Sequence, residues 1–226
     1  MLPLYDTIPS RRWPLVNWVL IFLNVVIFLF ETSLTTPLLN RFISTWGLVP
    51  ARLFHDPSQA WPTLFSSMFL HGGWFHLFSN MWILFIFGDN VEDRLGHTRY
   101  LLFYLLSGLA AGLLQAFLMP LSRTPMVGAS GAIAGILGAY MMLFPYSRIV
   151  SLVPFFFFVT TVDVPAVIYL GFWFLSQLYS GLFSLGGAAI SGIAWWAHIG
   201  GFVFGLLSIH LFAPRRPRIV RYYDYF

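Results

Sequence analysis

The sequence predicts an all-α membrane protein, a bundle of six transmembrane helices with a long interfacial loop between the first and second. Three observations lead there. Of the 226 residues, 58% are hydrophobic and only 9% are charged, where a soluble domain carries about a quarter charged residues. The apolar residues fall into blocks of the length, about 20 residues, that a helix needs to cross the hydrocarbon core. The 25 Phe and 9 Trp suit a chain with two membrane interfaces to populate.

The blocks read in order as follows. The first span is expected at 13–32; it is too long for a signal-peptide core, and no small-residue cleavage site follows it. Residues 33–67 carry Arg41, Arg52, His55, Asp56 and several Trp and Pro, and read as a loop with short helices lying on the membrane. The second span is expected at 69–88, with a charged hairpin from Asp89 to Arg99 after it, and the third at 99–119. A turn from Pro120 to Pro125 leads to the fourth at 127–144, closed by Pro145 to Arg148. Residues 149–160 are apolar but short and broken by Pro154, which suits an interfacial segment feeding the fifth span at 163–183. Ser184 to Gly187 form a turn before the sixth span at 191–212. The expected organisation is a tail at 1–12, a six-span domain at 13–212 and a basic tail at 213–226.

Charge sets the orientation. With six spans, Arg11, Arg12, Arg94, Arg99, Arg148, Arg215, Arg216, Arg218 and Arg221 share one side, against Arg41, Arg52 and Arg123 on the other. The positive-inside rule then puts both termini in the cytoplasm. The net charge of +4 follows from this topology and implies no nucleic-acid partner. The chain has no Cys, so disulfides and thiol catalysis are excluded.

Polar side chains inside a membrane are costly and mark function. The even-numbered spans all run from outside to inside. They carry His71, His76 and Asn80 near the start of the second, Ser130 near the start of the fourth and His198 in the sixth. At ~1.5 Å of rise per residue these groups lie roughly 5–15 Å below the outer surface, in one layer. His76 and Asn80 are four residues apart and share a face. His198, Gly201 and Gly205 share another, and Gly131 with Gly135 and Ala134 with Gly138 form a small-residue side on the fourth span. Faces of this kind let helices approach closely in lipid, which would bring His198 to Ser130. Glycine stripes alone more often serve packing; the Ser and His beside them point to chemistry. Gly128-Ala129-Ser130-Gly131 opens a helix, whose unpaired N–H groups attract negative charge and suit the oxyanion of an attacked carbonyl.

These residues resemble the rhomboid family of intramembrane serine proteases, in its six-span prokaryotic form. The resemblance runs from the first span to the sixth. Four motifs carry it in order: His71-Gly-Gly-Trp-Phe-His76-Leu-Phe-Ser-Asn80, Val91-Glu-Asp-Arg-Leu-Gly96, Gly128-Ala-Ser130-Gly131 and Ala197-His198-Ile-Gly-Gly201 with Gly205. It implies a serine endopeptidase that cleaves transmembrane segments of other proteins through an acyl-enzyme. Ser130 would be the nucleophile and His198 the base, with no acidic partner. His76, Asn80 and the Ser130 N–H would hold the oxyanion. His71 would line a water-filled cavity, Gly128, Gly201 and Gly205 would support the site, and Glu92 and Arg94 would stabilise the loop after the second span. No metal or cofactor is implied, and the setting would be a prokaryotic inner membrane. The chain departs from the family at Trp61-Pro62, where many members have Trp-Arg, and at Ala134, where some place an aromatic that stacks on the histidine. The His198 ring therefore needs another support. Three rival readings remain: an inactive relative that only binds membrane helices; a zinc protein using His71, His76 and His198, which lacks an H-E-x-x-H and a nearby carboxylate base; and a small transporter, weakened because the spans show no internal repeat.

Overall fold

The computed structural model describes residues 1–155, 158–185 and 193–214. The elements run β1 (Leu2–Asp6), α1 (Leu15–Ser33), α2 (Thr36–Trp46), α3 (Pro50–His55), α4 (Pro57–Ala60), α5 (Thr63–Ser66), a 3-10 turn (Ser67–Phe69), α6 (Trp74–Leu95), α7 (His97–Leu118), α8 (Ser130–Leu143), β2 (Arg148–Phe155), β3 (Phe158–Pro165), α9 (Ala166–Leu185) and α10 (Trp195–Phe212). By length and composition α1, α7, α9 and α10 are able to cross a membrane, and α8 is a shorter apolar helix. The distal basic tail, with Arg215, Arg216, Arg218 and Arg221, lies outside the described residues.

The core surrounds α8. Gly131 to Tyr140 are buried without a break, because α6, α7, α9 and α10 all pack against this one helix. Such contact needs small side chains. A Cβ on Gly201 would strike the carbonyl oxygen of Gly131, one on Gly205 that of Gly135, and one on Gly138 that of Phe202. The α8–α10 seam is therefore backbone against backbone, the arrangement that lipid-embedded helices use in place of a hydrophobic drive.

The helical block expected at 69–88 departs furthest from the sequence-based expectation, at both ends and for local reasons. The second helical block starts at Trp74 rather than residue 69, because Gly72-Gly73 breaks the chain first. It continues to Leu95 through the charged stretch expected as a hairpin, and the turn to α7 is Gly96 alone, at φ 80°, a conformation that favours glycine. The carboxylates are tolerated there because Glu92 is used: it accepts the backbone N–H groups of Val16 (2.9 Å) and Asn17 (2.7 Å), and it contacts His97 Nδ1 at 2.5 Å. These amides lie in the first turn of α1 and have no partner within it. Glu92 thus caps a helix 75 residues away in the chain.

The larger correction is to the all-α expectation. Residues 148–155 and 158–165 are neither a helix nor a simple interfacial segment but two antiparallel strands, and the N-terminal tail adds a third, giving a sheet in the order β1-β2-β3. The segment is rich in Val, Thr and Phe, which prefer strands, and Pro154 excludes a helix. The sheet sits between α6 and α9. Trp82 Nε1 donates to the Pro3 carbonyl (2.7 Å), Asn90 Nδ2 donates to Asp6 (2.7 Å), and the Tyr140 hydroxyl donates to the same carboxylate. At the other side β3 leads directly into α9. Burial raises the Asp6 carboxyl above its ordinary range, against the hydrogen bonds from Tyr140 and Asn90 that pull it down.

Candidate active site

Ser130 is the first residue of α8, and His198 lies on the first turn of α10. The seam between these helices brings Ser130 Oγ to 2.8 Å from His198 Nε2. Both line a cavity of about 200 Å³, together with Asn80 and Ser79 from α6 and Tyr169, Trp173 and Gln177 from α9.

Gly128 sets the approach to Ser130. Its φ of 127° is one that residues with a side chain avoid, and its N–H donates to the Ser67 carbonyl at 2.9 Å. A Cβ here would meet His76 Nε2 at 2.7 Å and Asn80 Nδ2 at 3.7 Å. His76 and Asn80 therefore face the backbone just before Ser130. The Gly72 N–H donates to His76 Nδ1 (3.3 Å), and a ring nitrogen that accepts has no hydrogen of its own. The hydrogen of the neutral ring is then on Nε2, the atom facing Gly128. Asn80 Nδ2 is buried without a hydrogen-bond partner among the described residues, so they leave a second donor in the same place.

His71 does not line this cavity. It precedes α6, buried, with its ring edge-on to His76 (centroids 5.1 Å) and to Phe28 (6.3 Å). Its backbone N–H donates to Glu31 at 3.2 Å, which ties the end of α1 to the start of the motif. Gly201 and Gly205 lie in the seam beneath Ser130. Among the described residues no three His, Cys, Asp or Glu side chains come together to hold a metal ion.

The support of the His198 ring comes from residues that the motifs do not include. Gln177 Oε1 lies 2.8 Å from His198 Nδ1. Trp173 and Trp195 flank the ring, each with its centroid at 6.1 Å. Gln177 was detectable in principle: it is a lone polar amide in the apolar block that becomes α9, and such residues in a span signal function by default.

A family model for the Rhomboid domain matches residues 57–215. RHOMBOID-like protein 4 of Arabidopsis thaliana is 31% identical over 183 residues, 80% of this chain and 42% of that protein. Rhomboid-like protein 11, chloroplastic, of the same plant is 33% identical over 113 residues, 50% of this chain and 40% of that protein. Rhomboid protein 1, mitochondrial, of Saccharomyces cerevisiae is 30% identical over 151 residues, 64% of this chain and 40% of that protein. The matched part spans about two fifths of the length of these relatives.

Proposed function

The chain belongs to the rhomboid family, and from that premise we propose that it is an active intramembrane serine endopeptidase cutting the transmembrane segments of other membrane proteins. The observation that carries this reading is the 2.8 Å contact between Ser130 Oγ and His198 Nε2. Family membership and the apolar helices make the chain a multi-pass membrane protein. In our reading α6 and α8 cross as well, giving six spans, with α2 to α5 lying at the outer interface. Both termini then face the cytoplasm of a cell whose inner membrane holds the protein, as the arginine distribution favours.

In the reaction, Ser130 Oγ attacks the scissile carbonyl and gives its proton to His198 Nε2. His198 passes that proton to the leaving amine, and an acyl-enzyme remains. Water, deprotonated by the same nitrogen, then releases the product. The negative charge of each tetrahedral intermediate falls near Gly128. His76 Nε2–H, Asn80 Nδ2–H and the Ser130 N–H at the start of α8 are the donors we assign to it. The substrate segment reaches this layer sideways, past α9, and must unwind locally, because a helix keeps its carbonyls bonded.

The test is cleavage of a model transmembrane substrate in proteoliposomes by wild type and by Ser130→Ala, beside a rhomboid protease of known activity. We expect cleavage by wild type and none by the variant. Equal cleavage by both removes Ser130 as nucleophile. No cleavage by wild type, when the control cuts, favours an inactive helix-binding relative.

A further inference from the structure

We propose that Gln177 is the positioning residue for His198, and that a one-way chain of hydrogen bonds from the backbone of α9 fixes which imidazole nitrogen is free to act as base. The inference rests on the serine-protease reading for its consequence, but the bonding argument stands on geometry.

The chain starts at a group with no choice. A peptide carbonyl only accepts, and the Ser176 hydroxyl lies 2.6 Å from the Trp173 carbonyl oxygen, so the single hydrogen of that hydroxyl is committed there. Ser176 Oγ is then left to accept. Its other neighbour is the side-chain amide of Gln177 at 3.0 Å, and only the Nε2 end of an amide donates. Ser176 thereby selects one of the two ways round for Gln177, with Oε1 facing His198 Nδ1 at 2.8 Å. An amide oxygen accepts only, so Nδ1 carries the hydrogen of the neutral ring. Nε2 is left bare, 2.8 Å from Ser130 Oγ. The direction is assigned from the network, because each end admits one role.

The opposite amide orientation would have a chemical cost. It would donate to Nδ1, move the ring hydrogen to Nε2 and leave Ser130 facing a donor rather than a base. The choice of glutamine also fits the place. Gln177 is buried, 7% exposed, where a carboxylate would need compensation for its lost hydration. A neutral amide orients the ring without that cost. Trp173 supplies both the carbonyl that anchors the chain and a ring beside His198, so one turn of α9 does the work expected of an aromatic at the position of Ala134.

The experiment reads the tautomer and the reactivity separately. Nitrogen-15 NMR of the histidine side chains, with His198→Ala used to assign the signal, should find His198 protonated on Nδ1 in the wild type. Gln177→Leu should give a mixture of tautomers. It should slow fluorophosphonate labelling of Ser130 on the order of 10- to 100-fold, a part of the 10²–10⁴ that a positioned base contributes. For a transmembrane substrate kcat should fall with KM unchanged. Gln177→Glu, which keeps an acceptor in place, should recover most of the rate. Ser176→Ala is the second variant should Gln177→Leu not fold; it leaves Gln177 free to turn over, and slower labelling with a mixed tautomer is expected. The proposal is overturned by an Nε2-protonated His198 in the wild type, or by wild-type tautomer and labelling rate in whichever of the two variants folds. A wild type that shows the Nδ1 tautomer, yet is neither labelled nor active, would instead count against the protease reading alone.

Discussion

The two sides of His198 are built in different ways. On the α10 side, the histidine is fixed by a seam in which glycines of two helices lie against each other's carbonyl oxygens. On the α9 side, only Ala166, Leu170, Gln177 and Gly181 of a 20-residue helix are buried. The Ser130–His198 pair thus sits on the tightly packed seam, while Gln177, which we propose orients the ring, sits on a helix that packs against α10, α8 and the sheet with few of its residues buried. The lesson is that position and orientation are separable here. The first depends on an absence of side chains, and the second on a few polar bonds.

The contrast is broken most severely at the seam. Gly205→Leu places a side chain where the carbonyl of Gly135 lies, and we expect a loss of about 3 kcal/mol or failure to fold. Thermal unfolding in detergent, with Ser130 labelling, checks this; a variant that melts and labels like wild type would show that the seam opens without cost. An intermediate effect is expected in the sheet. The folded chain holds the Asp6 proton at a pH where the unfolded chain has lost it, because burial raises that carboxyl. Stability should therefore fall as pH rises from the ordinary carboxylate value through the raised one. Asp6→Asn should flatten the slope of melting temperature against pH over that window, and an unchanged slope would assign the proton uptake to another group. The smallest effect belongs to the outer face of α9. Gly171 has open space where a Cβ would stand, so Gly171→Leu should shift stability by no more than about 0.5 kcal/mol. A large shift in the melting curve would mean that α9 is packed as closely as α10.

Much of this arrangement was legible in the sequence, and the remainder was hidden for identifiable reasons. Ser130, His198, His76 and Asn80 stand out because polar groups in apolar blocks are conspicuous and helical spacing tells which share a face. The glycines of α8 and α10 are legible for the same reason. Gln177 is just as visible by type, but its neighbours Trp173 and Ser176 acquire meaning only when α9 is placed beside α10, a long-range fact. The sheet was hidden because the short length and Pro154 rule against a spanning helix but do not separate an interfacial segment from a strand, and one partner of β2 lies far away in residues 2–6. Glu92 was read as stabilising, but its partners, the amides of Val16 and Asn17, carry no side-chain signal at all.

The sheet also imposes an order in time. Leu2 pairs with Leu152 and Asp6 with Ile149, so β1 has no strand partner until α1, α6, α7 and α8 have been synthesised. Closing so long a loop adds little free energy, since the cost grows only with the logarithm of length, but contacts this distant in sequence form slowly. The chain contains no Cys, so Leu2→Cys with Leu152→Cys would be its only thiols. Cross-linking them in stalled chains of increasing length should succeed only after residue 152 has left the ribosome. Until then, the α6 groups that bond β1, Trp82 and Asn90, lack those partners, while α1, α6, α7 and α8 are already made and α9 and α10 are still to come. β3, α9 and α10 are then added to a fold whose first strand is already paired.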